Sequence, residues 1–344
     1  MTDQIKDMAP KILETIQQSN KILLHCHPYP DPDSVGSVLA MTGVLKKLGK
    51  DVTPIIGDSE YPQNLIGLPN HNWIQPKNYT EINLKEFDLF IILDSSSPSQ
   101  ISQLVDIIFP ESLNTIIIDH HATNSKYGKI NLVEPTYCST SQILYDLFDL
   151  WGVKIDSDIA ICLFVGIFAD TGGFKYLNTT PEVFKIALEL VKINPNYHKI
   201  IFDLENSKKP IEIEMTSLAL SSIEKFFSGN VVLSLIPYEE IKKRNISKSD
   251  AAEGLVPDQL RSVIGWNLVA SLVEAEPGVV TVSIRTRDEN KYDVSKIAKS
   301  VGINGGGHRG ASGTTINAPL EIAKETLLNA FVNVFPELGN KQIS

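Results

Sequence analysis

Short apolar runs, separated by polar and proline-bearing stretches, set the rhythm of the first half of the chain. Residues 21–26, 51–56, 87–93 and 113–118 are short, mostly apolar and rich in β-branched or aromatic side chains, and they predict buried strands. Between them apolar residues recur at helical spacing. Ile12, Leu13 and Ile16 mark a helix over about 9–20. Val38, Leu39, Val44 and Leu45 mark another that runs to Gly49, with Ser34 as its expected cap. Ile143, Leu144, Leu147 and Phe148 mark a third, closed near Gly152. Residues 159–168 are apolar all round, which predicts a buried helix. Strand–helix alternation up to about Ile193 predicts a parallel α/β domain with right-handed crossovers.

The pattern then changes. Residues 194–210 are polar, with two prolines and two adjacent lysines, and read as a connection with some helix of its own. A helix over 211–227, a strand over 231–236 and two strands over 266–274 and 279–287 follow, the last two turning at Glu276-Pro277-Gly278. A helix over 294–300, a flexible glycine-dense loop over 305–313 and a final helix over 320–334 complete the expected set.

Composition narrows the classes. The 344 residues suffice for two packed cores. No apolar run approaches the ~18 residues of a membrane span, and residues 1–11 lack a signal-peptide core. Cys26, Cys138 and Cys162 make neither a CxxC pair nor a disulfide framework, so a soluble, reducing, cytoplasmic setting is expected. In that setting the sequons at Asn78, Asn178 and Asn245 are accidental. A formal net charge of −10 argues against a broad surface for long nucleic acids, and leaves room for a small anionic substrate at a locally positive site.

The candidate chemistry lies at the ends of the apolar elements. The first strand runs into His27-Pro28-Tyr29-Pro30-Asp31-Pro32-Asp33, where three prolines stiffen the loop. The third stops at Asp94, the fourth at Asp119-His120-His121, and the apolar helix at Asp170. In an open parallel sheet such ends share one edge, where ligands bind. Carboxylates about 4 Å apart repel by roughly 4 kcal/mol at an effective dielectric near 20, so several of them cannot gather uncompensated. Either cations are present or some carboxylates are protonated; two divalent cations resolve the problem and leave room for one bridging carboxylate. Oxygen donors with a minority of imidazoles suit manganese or magnesium, and Cys26, alternating with His25 and His27, faces away. In the second half, successive N–H groups of the glycine-dense loop can cradle a phosphate. His308 and Arg309 sit in that loop, and Arg285 and Arg287 share one face of a nearby strand.

These stretches carry a resemblance. His27-x-x-Pro30-Asp31-x-Asp33, Asp94, Asp119-His120-His121 and Asp170-Thr171-Gly172 look like the four motifs of the DHH phosphoesterase superfamily, and Gly305–Gly313 with Arg285 upstream resembles the DHHA1 domain that follows in one branch. The resemblance covers both halves, in the family's order and spacing. It is most similar to the stand-alone nanoRNA phosphatases, which degrade oligoribonucleotides and dephosphorylate 3′-phosphoadenosine 5′-phosphate; related members cleave cyclic or linear dinucleotides. It implies an α/β chain with a parallel-sheet DHH domain over 1–193, a helical, polar linker over 194–215 and a smaller mixed-sheet DHHA1 domain over 216–344, with the active site in the cleft between domains. It implies one metal on His27, Asp31 and Asp94, and a second on Asp33, Asp94, His120 and Asp170. Asp94 would bridge, Asp119 would orient the His120 ring, and His121 would face the scissile phosphate. Arg285 and His308, with Gly306, Gly307 and Arg309, would grip the substrate. His25 matches no ligand position.

The expected cofactor is a pair of divalent ions, manganese first, with magnesium or cobalt as alternatives. The expected activity is hydrolysis of short RNA or small nucleotides by a two-metal-activated hydroxide, without membrane or long-duplex partners and, by analogy, as a homodimer. An inorganic pyrophosphatase or exopolyphosphatase of the same superfamily and a non-catalytic nucleotide-binding regulator are the alternatives. The pyrophosphatase branch has a different second domain. The departures from the family pattern are Gly310 and Ser312, where alanine-rich variants are common, and the loosely matching stretch 245–259.

Overall fold

A computed structural model of the chain describes residues 1–253 and 256–339. They form two compact units, Met1–Ser207 and the part from Lys208 onward. Among the described residues no helix is long and apolar enough to cross a membrane.

In the first unit α1 (Asp3–Gln18) leads into β1 (Lys21–His25), α2 (Pro32–Lys47) and β2 (Asp51–Ile55). Then come β3 (Leu89–Leu93), β4 (Asn114–Asp119) and β5 (Ile130–Val133), followed by α3 (Thr140–Leu150), α4 (Ser157–Asp170), α5 (Pro181–Ile193) and α6 (Tyr197–Glu205). The sheet is parallel throughout, in the order β2-β1-β3-β4-β5. The chain leaves β1 for β2 on one side and returns as β3 on the other, so strand order reverses between β1 and β3. Crevices at such reversals, beyond the carboxyl ends of the strands, are where open α/β sheets bind ligands.

One sheet face packs on helices through Ile22, Leu24, Ile91, Leu93, Ile116 and Ile118. The opposite face, with Leu23, Phe90, Ile92 and Ile117, lies under irregular chain that supplies Tyr79, Phe87 and Ile101. Strand β5 escaped the sequence reading because four residues on a sheet edge give almost no periodicity. The first helix starts earlier than expected, at Asp3, because Thr2 caps it and Pro10 is accommodated within it.

The second unit holds α7 (Pro210–Ser221), β6 (Ile223–Phe226), β7 (Val231–Ile236), α8 (Tyr238–Lys243), α9 (Lys248–Glu253) and α10 (Pro257–Arg261). It continues with β8 (Leu268–Glu276), β9 (Val279–Thr286), α11 (Val294–Val301), β10 (Ile303–Gly307), β11 (Ala311–Ile316) and α12 (Leu320–Val334). The mixed sheet runs β10-β11-β9-β8-β7-β6, with only β7 and β8 parallel. Leu233, Leu272, Val282 and Ile284 pack on Ile297, Leu327 and Phe331 of α11 and α12. Val232, Val269 and Val273 pack on Met215, Ala219, Ile241 and Leu260 of α7, α8 and α10.

Two expectations are corrected here. The helix expected over 211–227 stops at Ser221, and Ile223–Phe226 pairs with β7; Ile223 and Phe226 happen to continue the helical spacing, which hid the break. The glycine-dense segment is no flexible loop but a hairpin, with Gly306 opposite Gly313 and Gly307 opposite Ser312. Gly305 within it, and Gly302 just before it, answer a packing demand: a Cβ at Gly305 would overlap the Ala298 carbonyl of α11, and one at Gly302 the Thr315 carbonyl of β11.

Candidate metal centre and active site

Each candidate side chain is fixed by the element that delivers it. His27 follows β1, and its N–H donates to Ser34 Oγ at 3.2 Å. Asp31 is the N-cap of α2: its Oδ1 accepts from the N–H groups of Asp33 (3.0 Å) and Ser34 (2.9 Å). Its other oxygen, Oδ2, stands 3.7 Å from His27 Nε2. This replaces one expectation. Pro32 at the first helical position starts α2 ahead of Ser34, so Ser34 is not the cap. The first N–H groups of the helix are taken by a carboxylate of the candidate site instead of standing free for a phosphate.

Asp33 is fully buried in the first turn of α2. Its Oδ2 accepts from the Thr140 N–H at 2.7 Å and its Oδ1 from the Ser141 N–H at 3.0 Å. The N-terminus of α3 therefore binds an internal carboxylate, with its partial positive charge helping. Helix α4 passes so close that a Cβ at Gly166 would overlap Asp33 Oδ1 and Ser141 Oγ. Thr140, Ser141 and Gly166 were missed as supports of the site. The hydroxyl run Ser139-Thr140-Ser141 at a helix start was the available signal, but it does not say which carboxylate it meets.

Asp94 stands at the centre. It leaves β3 at φ +54, the left-handed region that non-glycine residues enter at a cost of about 1 kcal/mol or more. Its N–H donates to Ile118 O at 3.1 Å. Its Oδ2 is 3.5 Å from His27 Nε2, and its Oδ1 is 3.5 Å from His120 Nε2 and 3.6 Å from His121 Nδ1. Thr140 Oγ1 donates to the same Oδ1 at 3.1 Å. Asp170, at the end of α4, brings Oδ2 to 3.2 Å from His120 Nε2. Most of these imidazole–carboxylate separations are too long for good hydrogen bonds.

Asp119 does not orient the His120 ring, contrary to the implication of the resemblance. Its Oδ1 accepts from the N–H groups of His120 (2.8 Å) and His121 (3.2 Å) and lies 2.8 Å from His121 Nδ1, and its Oδ2 accepts from Asn124 Nδ2 at 2.6 Å. The turn after β4 folds the carboxylate back over the two amides that follow, which brings the second ring into reach. The His120 ring instead turns Nε2 to Asp94 Oδ1 at 3.5 Å and Asp170 Oδ2 at 3.2 Å.

The electrostatics show a cluster short of positive charge. Burial, then the charges of Asp94 and Asp31, hold the Asp33 carboxyl well above the usual range. Desolvation, then Asp33, Asp94 and Asp31, do the same to Asp170. Burial disfavours the charged form of His27, but Asp31 and Asp94 outweigh it and push its pKa up to about 11. The same contest at His121, settled by Asp119 and Asp94, raises it to about 9. His25, by contrast, is fully buried with its ring edge-on to Phe90, and burial pushes its pKa down to about 3. Its nearest polar contact is Ser95 Oγ, 3.4 Å from Nε2.

The donor set fits divalent cations. Ligand atoms of His27, Asp31 and Asp94, of Asp33, His120 and Asp170, and of Asp94, Asp119, His120 and His121 form three groups, each within 4.8 Å. All are oxygen or imidazole nitrogen, and burial drives the Cys26 thiol away from ionisation.

In the second unit, Arg285 lies on β9, with Nε 3.4 Å from Asp258 Oδ1 and Nη1 donating to Ser283 Oγ at 3.1 Å. Arg287 donates from Nη1 to Arg261 O at 2.7 Å and Val263 O at 3.1 Å, so both arginines reach the segment 258–263. Gly306 and Gly307 are on β10, and His308 and Arg309 sit exposed in the turn, where His308 N–H donates to Ala311 O at 2.8 Å.

Comparison with known proteins agrees with this geometry. The DHH family N-terminal domain matches residues 21–167, and the DHHA1 domain matches residues 239–337. The chain is 31% identical over 326 residues to the bifunctional oligoribonuclease and PAP phosphatase NrnA of Thermus thermophilus, covering 94% of this chain and 92% of that one. It is 26% identical over 325 residues to the protein of the same name from Bacillus subtilis, covering 90% and 93%. An exopolyphosphatase-related protein from Bacteroides fragilis shares the fold, with a TM-score of 0.87 at 24% identity over 97% of this chain and 98% of that one. With its motifs at the strand ends and a relative matched along nearly its whole length, the chain belongs to the DHH family of phosphoester hydrolases and carries a DHHA1 domain in its second unit.

Proposed function

We propose that the chain hydrolyses short oligoribonucleotides and small nucleotides such as 3′-phosphoadenosine 5′-phosphate, using two divalent ions, manganese foremost, in a cytoplasmic setting. The observation that carries this is Asp94: one carboxylate faces His27 with one oxygen and His120 with the other, each imidazole belonging to its own donor group. His27, Asp31 and Asp94 would hold one ion, and Asp33, Asp94, His120 and Asp170 the other. When bound, such a pair activates water and neutralises charge growing on phosphorus.

The chain's own part is positioning and proton handling. Asp31 is pinned by the amides of α2 and Asp33 by those of α3, so the donors are held by the fold. His121, held at Nδ1 by Asp119, has Nε2 free of described partners to donate to a phosphoryl or leaving oxygen. Arg285, Gly306, Gly307, His308 and Arg309 would bind the remainder of the substrate, the guanidinium groups gripping phosphate. The relatives named as oligoribonucleases and PAP phosphatases support nucleotide substrates over pyrophosphate.

A turnover panel tests the reading: diribonucleotides, longer oligoribonucleotides, 3′-phosphoadenosine 5′-phosphate, cyclic dinucleotides and pyrophosphate, each with manganese, magnesium or chelator. Metal-dependent release of mononucleotides is expected. Activity on pyrophosphate alone, or turnover that survives chelation, would overturn it.

A further inference from the structure

The loop that carries His27 and Asp31 also presents Tyr29, for which the chemistry above has no use. Tyr29 is 81% exposed, so its ring adds little to the stability of the fold. Among the described residues its ring has no aromatic partner and its hydroxyl no hydrogen bond. Its backbone sits at φ +56, directly before Pro30, a conformation that glycine or asparagine would adopt at lower cost. Its N–H donates to Ser59 Oγ at 2.7 Å, and Pro28 and Pro30 stiffen the chain on both sides.

The main chain is thus braced, and it holds a large aromatic ring in water two residues from each of two candidate metal ligands. A lone exposed aromatic is ordinary on a protein surface. A strained and braced one in the loop of a phosphoester-hydrolysing centre points to use in binding. Ser59, which braces the loop, also lines a cavity of about 350 Å³ with Ile56, Gly57, Tyr61, Ile74 and Pro76.

We propose that Tyr29 is a stacking platform for the nucleobase next to the phosphate being cleaved. This rests on the nucleotide reading above. Charged groups and metal ions recognise phosphate whatever it is attached to; an aromatic face distinguishes a nucleotide from a base-free phosphoester. Every base has a π-face, so the platform tolerates any sequence, which suits an enzyme for short fragments. A tyrosine gives up few rotamers on binding, and the fixed backbone reduces that loss further.

The test compares a diribonucleotide with two analogues, abasic at the 5′ or the 3′ residue, using manganese-loaded wild type, Tyr29→Ala, Tyr29→Phe and Tyr29→Trp, with metal content measured for each. Tyr29→Ala should lower kcat/KM on the diribonucleotide by about ten- to a hundred-fold, the range set by loss of one base–aromatic stack. One of the abasic analogues should cost the wild type a similar factor, and Tyr29→Ala should add no further loss on that analogue. Tyr29→Phe and Tyr29→Trp should recover activity, because the ring and not the hydroxyl is used. An equal drop on all three substrates, or lost metal, would show a loop-bracing role and overturn the platform. A wild type active on dinucleotides with an unimpaired Tyr29→Ala overturns the platform alone; a wild type inactive on every nucleotide overturns the nucleotide reading as well.

Discussion

Oδ1 of Asp119 lies 2.8 Å from Nδ1 of His121, the second of the paired histidines, and among the described residues no hydrogen bond joins it to the ring of the first. The two neighbours in sequence therefore have different surroundings. His120 Nε2 faces Asp94 and Asp170, two carboxylates of the candidate metal centre. His121 is backed by a buried carboxylate, an arrangement that fixes its tautomer and favours its protonated form.

His121→Ala should leave the ion-binding residues intact and lower kcat by roughly a hundred- to ten-thousand-fold, the usual contribution of a positioned acid or base. Metal content unchanged and kcat reduced is the expected pair of measurements. Loss of both would place His121 among the ligands.

Asp119→Asn should move the alkaline limb of the kcat/KM pH profile to lower pH. Burial opposes the charged His121 ring, and Asp119 is the leading influence that raises its pKa to about 9. A group that works as the acid is lost as pH rises through its pKa. Removing the charge that raises this pKa brings the loss on earlier. A limb that stays in place would assign it to another group.

Asp94→Asn should abolish turnover and empty both ion sites, since this carboxylate faces the donors of each. Asparagine tolerates the left-handed backbone at this position, so circular dichroism should show an intact fold. Two equivalents of manganese retained at wild-type turnover would refute the arrangement.

Ion binding should release protons, and apparent affinity should rise with pH. Burial and neighbouring carboxylates hold Asp33 and Asp170 in their protonated forms above the usual carboxylate range, and His27 is raised to about 11. A cation must displace those protons, so it competes better as they become scarce. Calorimetry in two buffers of different ionisation enthalpy measures the release directly. Manganese at about a hundred times its dissociation constant should stabilise the fold by about 2.7 kcal/mol, which corresponds to a Tm increase of roughly 5–10 °C for a unit of this size.

Two adjacent glycines should behave differently. Gly305→Ala drives a Cβ into the Ala298 carbonyl and should cost about 3 kcal/mol in unfolding experiments. Gly306 has open space at the Cβ position, so Gly306→Ala should change Tm little while raising KM if substrate approaches the backbone there. Equal destabilisation by both would mean that the hairpin packs differently.

Much of this molecule could be read from residue order. Apolar runs long enough to be buried announced β1, β3, β4 and the apolar helix α4, and the charged residues at their ends announced the site, because burial and desolvation act on every such segment whatever its neighbours are. The resemblance resting on those strand ends and on the glycine-dense segment is borne out by the matched family domains and by a relative similar along nearly the whole chain. Contacts between segments distant in sequence were not legible. The hold of the α3 amides on Asp33 spans 107 positions, and the close passage of α4 at Gly166 depends on how two helices pack. The glycine-dense hairpin looked like loose chain because glycine has no side-chain pattern to read, and only the nearness of α11 explains it. Which histidine Asp119 would hold also depended on the turn after β4, since two adjacent imidazoles are alike in composition and differ only in the direction the folded backbone gives them.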